Sequence, residues 1–194
     1  MEDTLENQFK QFAKNIRLTT DQENDASVKY NGVCSQLHSH YYDYKYDGST
    51  KFLFGSYKTK TNVRPFTELQ DVDVLFKIPK EVFYKYYDYE SNGPAALLQE
   101  VRNCLKEKYT TTEVIRSWGK VVLIQFSNNH HNVEVLPAFE NDDGTFIIPN
   151  TENGGIWETF DPKDQIQKFN FSNKNTNGLT ADLARMMKIW VNNT

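Results

Sequence analysis

The sequence predicts one α+β domain built on a mixed sheet. Amphipathic helical stretches open and close the chain, short alternating runs lie between them, and Gly- or Pro-marked turns separate the runs. A length of 194 residues suits a single core. Hydrophobic residues are 38% and aromatic residues 14%, so the mean hydropathy of −0.70 reflects abundant Asn, Lys, Tyr and Gln rather than disorder.

Leu5, Phe9, Phe12 and Ile16 fall at helical spacing and predict an amphipathic helix over 3–18. Thr20 is a candidate N-cap for a second helix over 21–43, with Val28, Val33, Leu37 and Tyr41 as its apolar positions. Asp47–Gly48–Ser49 is a turn, and KFLF (51–54) reads as a short strand. DVDVLFKI (71–78) alternates strictly: Val72, Val74, Phe76 and Ile78 share one face, while Asp71, Asp73, Leu75 and Lys77 share the other. A helix is expected over 94–108, then a hairpin of 112–118 and 121–126 about Gly119–Lys120. HNVEVLPAF (131–139) reads as a strand stopped by Pro137, and GTFIIP (144–149) as an extended piece. Gly154–Gly155 and Pro162 mark a loop-rich region that runs into a polar segment at 168–177. A closing helix from Thr180 carries Leu183, Met186, Met187 and Trp190 as an apolar stripe.

Net charge is −4, which argues against long nucleic acid as the main partner, because such partners select a basic excess. Cys34 and Cys104 match no metal or redox spacing and are expected to be buried thiols in a reducing, cytoplasmic setting. The opening residues lack a signal-peptide pattern, and no run approaches the roughly 18 apolar residues of a membrane span.

The chemistry concentrates on one strand. Asp71 and Asp73 leave the same face about 7 Å apart along the backbone. Two such carboxylates can reach one or two Mg2+ ions, which prefer hard oxygen ligands. Glu134 repeats the pattern in NVEVL, where Asn132 and Glu134 face away from Val133 and Val135. A sheet that pairs these strands would gather three carboxylates. Gly55–Ser56, ahead of the strand, offers close backbone approach, a hydroxyl and an N–H suited to a triphosphate. His38, His40, His130 and His131 lack ligand spacing and read as surface or packing residues. Arg64 could serve a phosphate or pair with an acid, and Trp157 and Trp190 read as core.

FGSYKTKTNVRPFTELQDVDVLFKIP (54–79) resembles the signature of the polymerase-β-like nucleotidyltransferase superfamily, a Gly-Ser followed by Asp-x-Asp. VEVLPAF (133–139), Gly155, Trp157, Pro162 and LARMMKIW (183–190) resemble one branch of it more narrowly. That branch is the bacterial relatives of cyclic GMP-AMP synthase and oligoadenylate synthase, the second-messenger oligonucleotide or dinucleotide synthetases. The resemblance implies a polymerase-β-like fold with a twisted mixed sheet, carboxylates on one face and helices on the other. It implies a two-metal, pyrophosphate-releasing enzyme that uses Mg2+ or Mn2+ to join ATP or other NTPs. The product would be a cyclic or linear oligonucleotide second messenger, of the kind used in bacterial anti-phage defence.

Residue by residue, the resemblance implies Gly55 and Ser56 on the donor phosphates and Asp71 and Asp73 as metal ligands. It implies Glu134 as the third carboxylate and Lys188 near the donor phosphates. Glu134 stands where Asp is commoner in the family. Residues 1–194 then correspond to the nucleotidyltransferase core with its N-terminal helices, and the family's C-terminal helical lobe lies largely outside the chain. A nucleotidyltransferase acting on protein, RNA or a small molecule would share the signature, and so would a catalytically silent nucleotide-binding module.

Overall fold

The computed structural model describes residues 4–64, 71–112, 114–126 and 131–192. Helix α1 (Leu5–Asn15) is capped by the Thr4 side chain on the Asn7 N–H, and α2 (Thr20–Tyr41) begins one residue after its cap. That cap is Thr19, not Thr20: Thr19 and Gln22 bond each other's backbone reciprocally in a capping box. Strand β1 (Lys51–Leu53) leads into a single helical turn, α3 (Gly55–Lys58), and then into β2 (Asp71–Lys77). Helix α4 (Lys80–Tyr87) follows Pro79, and α5 (Gly93–Lys108) starts where Asn92 caps the Ala95 N–H and Pro94 fits the first turn. Strands β3 (Val114–Trp118) and β4 (Val121–Gln125) form the expected hairpin. After them come β5 (Asn132–Glu140), β6 (Phe146–Asn150), β7 (Ile156–Phe160), α6 (Pro162–Asn175) and α7 (Leu179–Asn192).

The sheet runs β1-β2-β5-β4-β3, with β6 on the far end of β5 and β7 beside β6. Strands β2 and β5 are parallel and all other pairs antiparallel, so the sheet is mixed, as expected. Helices α2 and α5 cover the face of Val72, Val74 and Phe76. Val33, Leu37, Leu97 and Val101 pack there against those residues and against Val133 and Val135. Burial of this face is the main stabilising feature of the fold.

The opposite face is not given over to carboxylates throughout. Beyond Asp73 it becomes a second core, in which Leu75 meets Leu136, Ala138, Phe146 and Ile148 beneath Phe52, Phe54 and Phe160. Strand β5 also passes through Pro137 without ending. Strand β4 pairs only as far as Val135 and β6 begins at Phe139, so Pro137 lies where neither of those neighbours is paired.

Two elements were hidden in the region read as loop. Gly154 and Gly155 adopt φ of 88° and 96°, and this left-handed turn sends β6 back as β7. Pro162 opens α6 rather than interrupting it, with Asp161 capping the Asp164 N–H. Val28 is exposed, so the apolar stripe of α2 rests on Val33 and Leu37. Both cysteines are free and buried, as expected. Among the described residues no helix is long and apolar enough to cross a membrane.

Candidate active site

Strand β1 runs antiparallel to β2, with Leu53 opposite Val74, so the chain leaves β1 directly beside Asp73. Gly55 makes the turn into α3 at φ +63°, and a Cβ there would stand 2.1 Å from Asp73 Oδ2. The glycine therefore serves two needs at once, a left-handed backbone and room for a carboxylate. The Ser56 backbone N–H favours the charged form of the Asp73 carboxylate.

The parallel register between β2 and β5 sets Asp73 opposite Glu134 and Asp71 opposite Asn132. Paired residues share a sheet face about 5 Å apart, so the three carboxylates emerge together. The Asn132 side chain favours the charged form of Asp71, yet Asp71 Oδ1 is buried without a hydrogen-bond partner among the described residues. Burial raises Asp71 above the usual carboxylate range. Asp73 is pushed up to about 6 by burial and then by Asp71, against the opposing pull of Lys188. Glu134 is pushed up to about 7 by burial and by both aspartates. Lys188 on α7 is half-buried. Desolvation lowers it, while the Asp73 charge works the other way. Close like charges in a partly dry site repel, and one lysine does not balance three acids.

Among the described residues, no group of three or more His, Cys, Asp or Glu side chains is already gathered as a metal cage. The residues nonetheless fit a hard divalent cation. They offer only carboxylate oxygens, one of them orphaned, and Mg2+ typically takes one or two carboxylates plus water and substrate phosphates.

Other candidates fall elsewhere. His38 is buried and holds Thr50 Oγ1 at 3.1 Å and the Tyr44 carbonyl at 2.8 Å, and His131 is buried beside Asp25. His40 is exposed, and His130 and Pro65 lie outside the described residues. Arg64 donates to the Asn15 carbonyl at 2.6 Å, tying the post-α3 loop to the end of α1, and pairs with no acid among the described residues. Trp157 packs on Phe83 as a partly buried residue, but Trp190 is 62% exposed, so its assignment to the core is wrong.

Residues 4–173 match the Second Messenger Oligonucleotide or Dinucleotide Synthetase domain. The chain belongs to that family. Within reach of the synthetase family is a cyclic AMP-AMP-AMP synthase of Acinetobacter sp. (strain ATCC 27244 / 9458), 28% identical over 193 residues. That match covers 96% of this chain and 52% of the relative, so the chain spans about half the length of the curated relative it matches. Among solved structures, the Vibrio cholerae DncV cyclic AMP-GMP synthase in complex with a linear intermediate aligns with a TM-score of 0.71 at 13% identity. It covers 92% of this chain and 64% of that one. The Elizabethkingia meningoseptica CdnE cyclic dinucleotide synthase with GTP and Apcpp aligns at 0.67 and 17% identity, covering 96% and 65%. At these identities the likeness establishes the fold, and the fold is the polymerase-β-like one expected for the synthetase family.

Sequence reasoning passed over Asn132 as a site residue. Its signal was present, since it shares Glu134's face two positions earlier and so pairs with Asp71 when the strands align.

Proposed function

We propose that this synthetase-family chain carries the catalytic centre of a nucleotidyltransferase that joins NTPs into a cyclic or linear oligonucleotide second messenger. The observation that carries this is the register that sets Asp73 beside Glu134, with Asp71 on the same half-buried face. Asp71, Asp73 and Glu134 would hold Mg2+ or Mn2+. Such ions activate an attacking hydroxyl and stabilise a leaving pyrophosphate when bound. Gly55 brings the backbone close, and the Ser56 hydroxyl and N–H meet the donor phosphates. Lys188, already in the field of Asp73, adds positive charge on the same side. Glu134 orients the acceptor hydroxyl, and Asn132 fixes Asp71. The bond formed joins a ribose oxygen to the α-phosphorus, the bond broken releases pyrophosphate, and the protein's part is positioning and charge neutralisation.

Support also comes from the named relatives: a cyclic AMP-AMP-AMP synthase, a cyclic dinucleotide synthase with GTP and Apcpp, and a cyclic AMP-GMP synthase in complex with a linear intermediate. Two buried free thiols fit a cytoplasmic setting, and an anti-phage signalling role is the natural context.

Incubation with all four NTPs and Mg2+ or Mn2+, with products resolved by mass, tests the reading. Oligonucleotide products should fall by about a thousandfold in Asp73→Asn while the protein stays folded. Unchanged turnover in Asp73→Asn would overturn the metal assignment. Absence of products with NTP binding intact would favour a silent nucleotide-binding module.

A further inference from the structure

The sheet order fixes the side from which each substrate meets the carboxylates. Ser56 on α3 follows β1, the strand beside β2, and Lys188 on α7 bears on Asp73. The groups that meet donor phosphates therefore stand on the β1 side of the site. Nucleotidyl transfer is an in-line displacement, in which the attacking oxygen arrives opposite the leaving pyrophosphate. The acceptor nucleotide must then lie on the other side of Glu134, over β4 and β3.

That side of the sheet continues the carboxylate row. Pairing sets Glu134 opposite Leu123 of β4 and Leu123 opposite Arg116 of β3, so all three share one face. At a strand spacing of about 5 Å, the Arg116 backbone stands about 10 Å from that of Glu134, within the span of one nucleotide. Leu123 is 5% exposed and gives an apolar floor between them. Strand β3 is an edge of the sheet, and Trp118 stands two residues beyond Arg116 on the same face. Arg116 is exposed and makes no ion pair or side-chain hydrogen bond among the described residues. Trp118 is 61% exposed and meets no other ring among them. The lysines nearby are already spent, Lys77 on Glu140 and Lys120 on Glu158.

We infer that Arg116 and Trp118 hold the acceptor nucleotide, an inference that rests on the nucleotidyltransferase reading above. The Arg116 guanidinium forks onto the acceptor's phosphate, since Ser56 and Lys188 are turned toward the other nucleotide. Trp118, about 7 Å along the strand, presents its ring to the base. This placement leaves the acceptor's ribose over Leu123 with its hydroxyl at Glu134. Ring stacking tolerates every base, whereas the arginine demands an anion. The pair therefore selects a nucleotide over a bare nucleoside without choosing the base. Both residues bind the acceptor and take no part in making or breaking bonds.

Fluorine NMR of the full chain labelled with fluorotryptophan reads Trp118 directly. Its indole signal is told from those of Trp157 and Trp190 by replacing each tryptophan with phenylalanine. ATP, GTP, CTP and UTP are titrated in turn in EDTA, which separates acceptor binding from metal-dependent turnover. At least one NTP should shift the Trp118 signal saturably and leave Trp157 in place. The matching nucleoside should bind at least about tenfold more weakly, and Arg116→Glu should weaken the NTP at least about tenfold. Arg116→Lys should recover part of that loss, which a merely structural arginine would not show. The inference is overturned if no NTP moves Trp118 at millimolar concentration, if the nucleoside binds as well as its NTP, or if folded Arg116→Glu binds normally. Products in the NTP incubation with Trp118 unmoved strike this inference alone. Absence of products with the Trp118 shift intact strikes the catalytic reading and keeps the nucleotide site.

Discussion

Strand β2 presents two faces made from alternate residues of one seven-residue segment, and they obey different rules. Toward α2 and α5, Val72, Val74 and Phe76 are fully buried among apolar neighbours. Toward α3 and α7, Asp71 and Asp73 are largely removed from water, repel Glu134 and find one lysine. The first face lowers the free energy of folding, and the second raises it. Chains retain such a face where something outside the protein completes it, and a functional site is the usual reason.

The largest effect on stability should come from damaging the first face. Phe76→Ala empties a fully enclosed position that also touches Tyr41 and Tyr42, and should cost about 3–5 kcal/mol in urea unfolding. An effect below about 1 kcal/mol would mean that the helices do not depend on this face, and the comparison would fail.

A smaller effect is expected where the two faces meet the chain turn. Gly55→Ala forces a left-handed non-glycine and drives a methyl against Asp73 Oδ2. The stability loss should exceed about 1 kcal/mol, because the native φ excludes alanine's preferred conformations. The carboxylate must also swing aside, so Mn2+ affinity should fall by more than the stability change explains. Calorimetric Mn2+ titration of the folded variant checks this, and unaltered affinity would show that Asp73 is free to rotate without consequence.

The first face was readable in the sequence and the second only in part. Alternation in DVDVLFK and NVEVL announces the strands, and it places Asp71 with Asp73 and Asn132 with Glu134 without any tertiary information. The step that sets Asp73 opposite Glu134 is a register between strands some sixty residues apart, and nothing local in either strand fixes it. Helix α6 was hidden because its Asn- and Lys-rich composition carries little apolar periodicity, so Pro162 looked like a break rather than a first-turn residue. The apolar stripe of α7 was visible, but its burial was not. Ala181 and Arg185 face the protein, whereas Leu183, Met187 and Trp190 remain exposed.

The smallest expected effect isolates the electrostatic strain itself. Without metal, Asp73 and Glu134 titrate as a coupled pair raised to about 6 and about 7 from 3.8 and 4.5. Between pH 4 and pH 7 these two groups thus hold more protons in the folded protein than in the unfolded chain, so their contribution to stability falls as pH rises through that window. Asp73→Asn removes one carboxylate, relieves Glu134 and takes from Lys188 the charge that favours its ammonium, while groups away from the site are unchanged. In EDTA, the Tm of wild type relative to Asp73→Asn should therefore drop by roughly 2–5 °C between pH 5 and pH 7.5, allowing for partial solvent screening. Adding Mn2+ at pH 7.5 should raise the wild-type Tm and leave the variant nearly unmoved. Parallel Tm curves for the two proteins in EDTA would show that water already relaxes the carboxylates, and that the second face carries no strain for a metal to relieve.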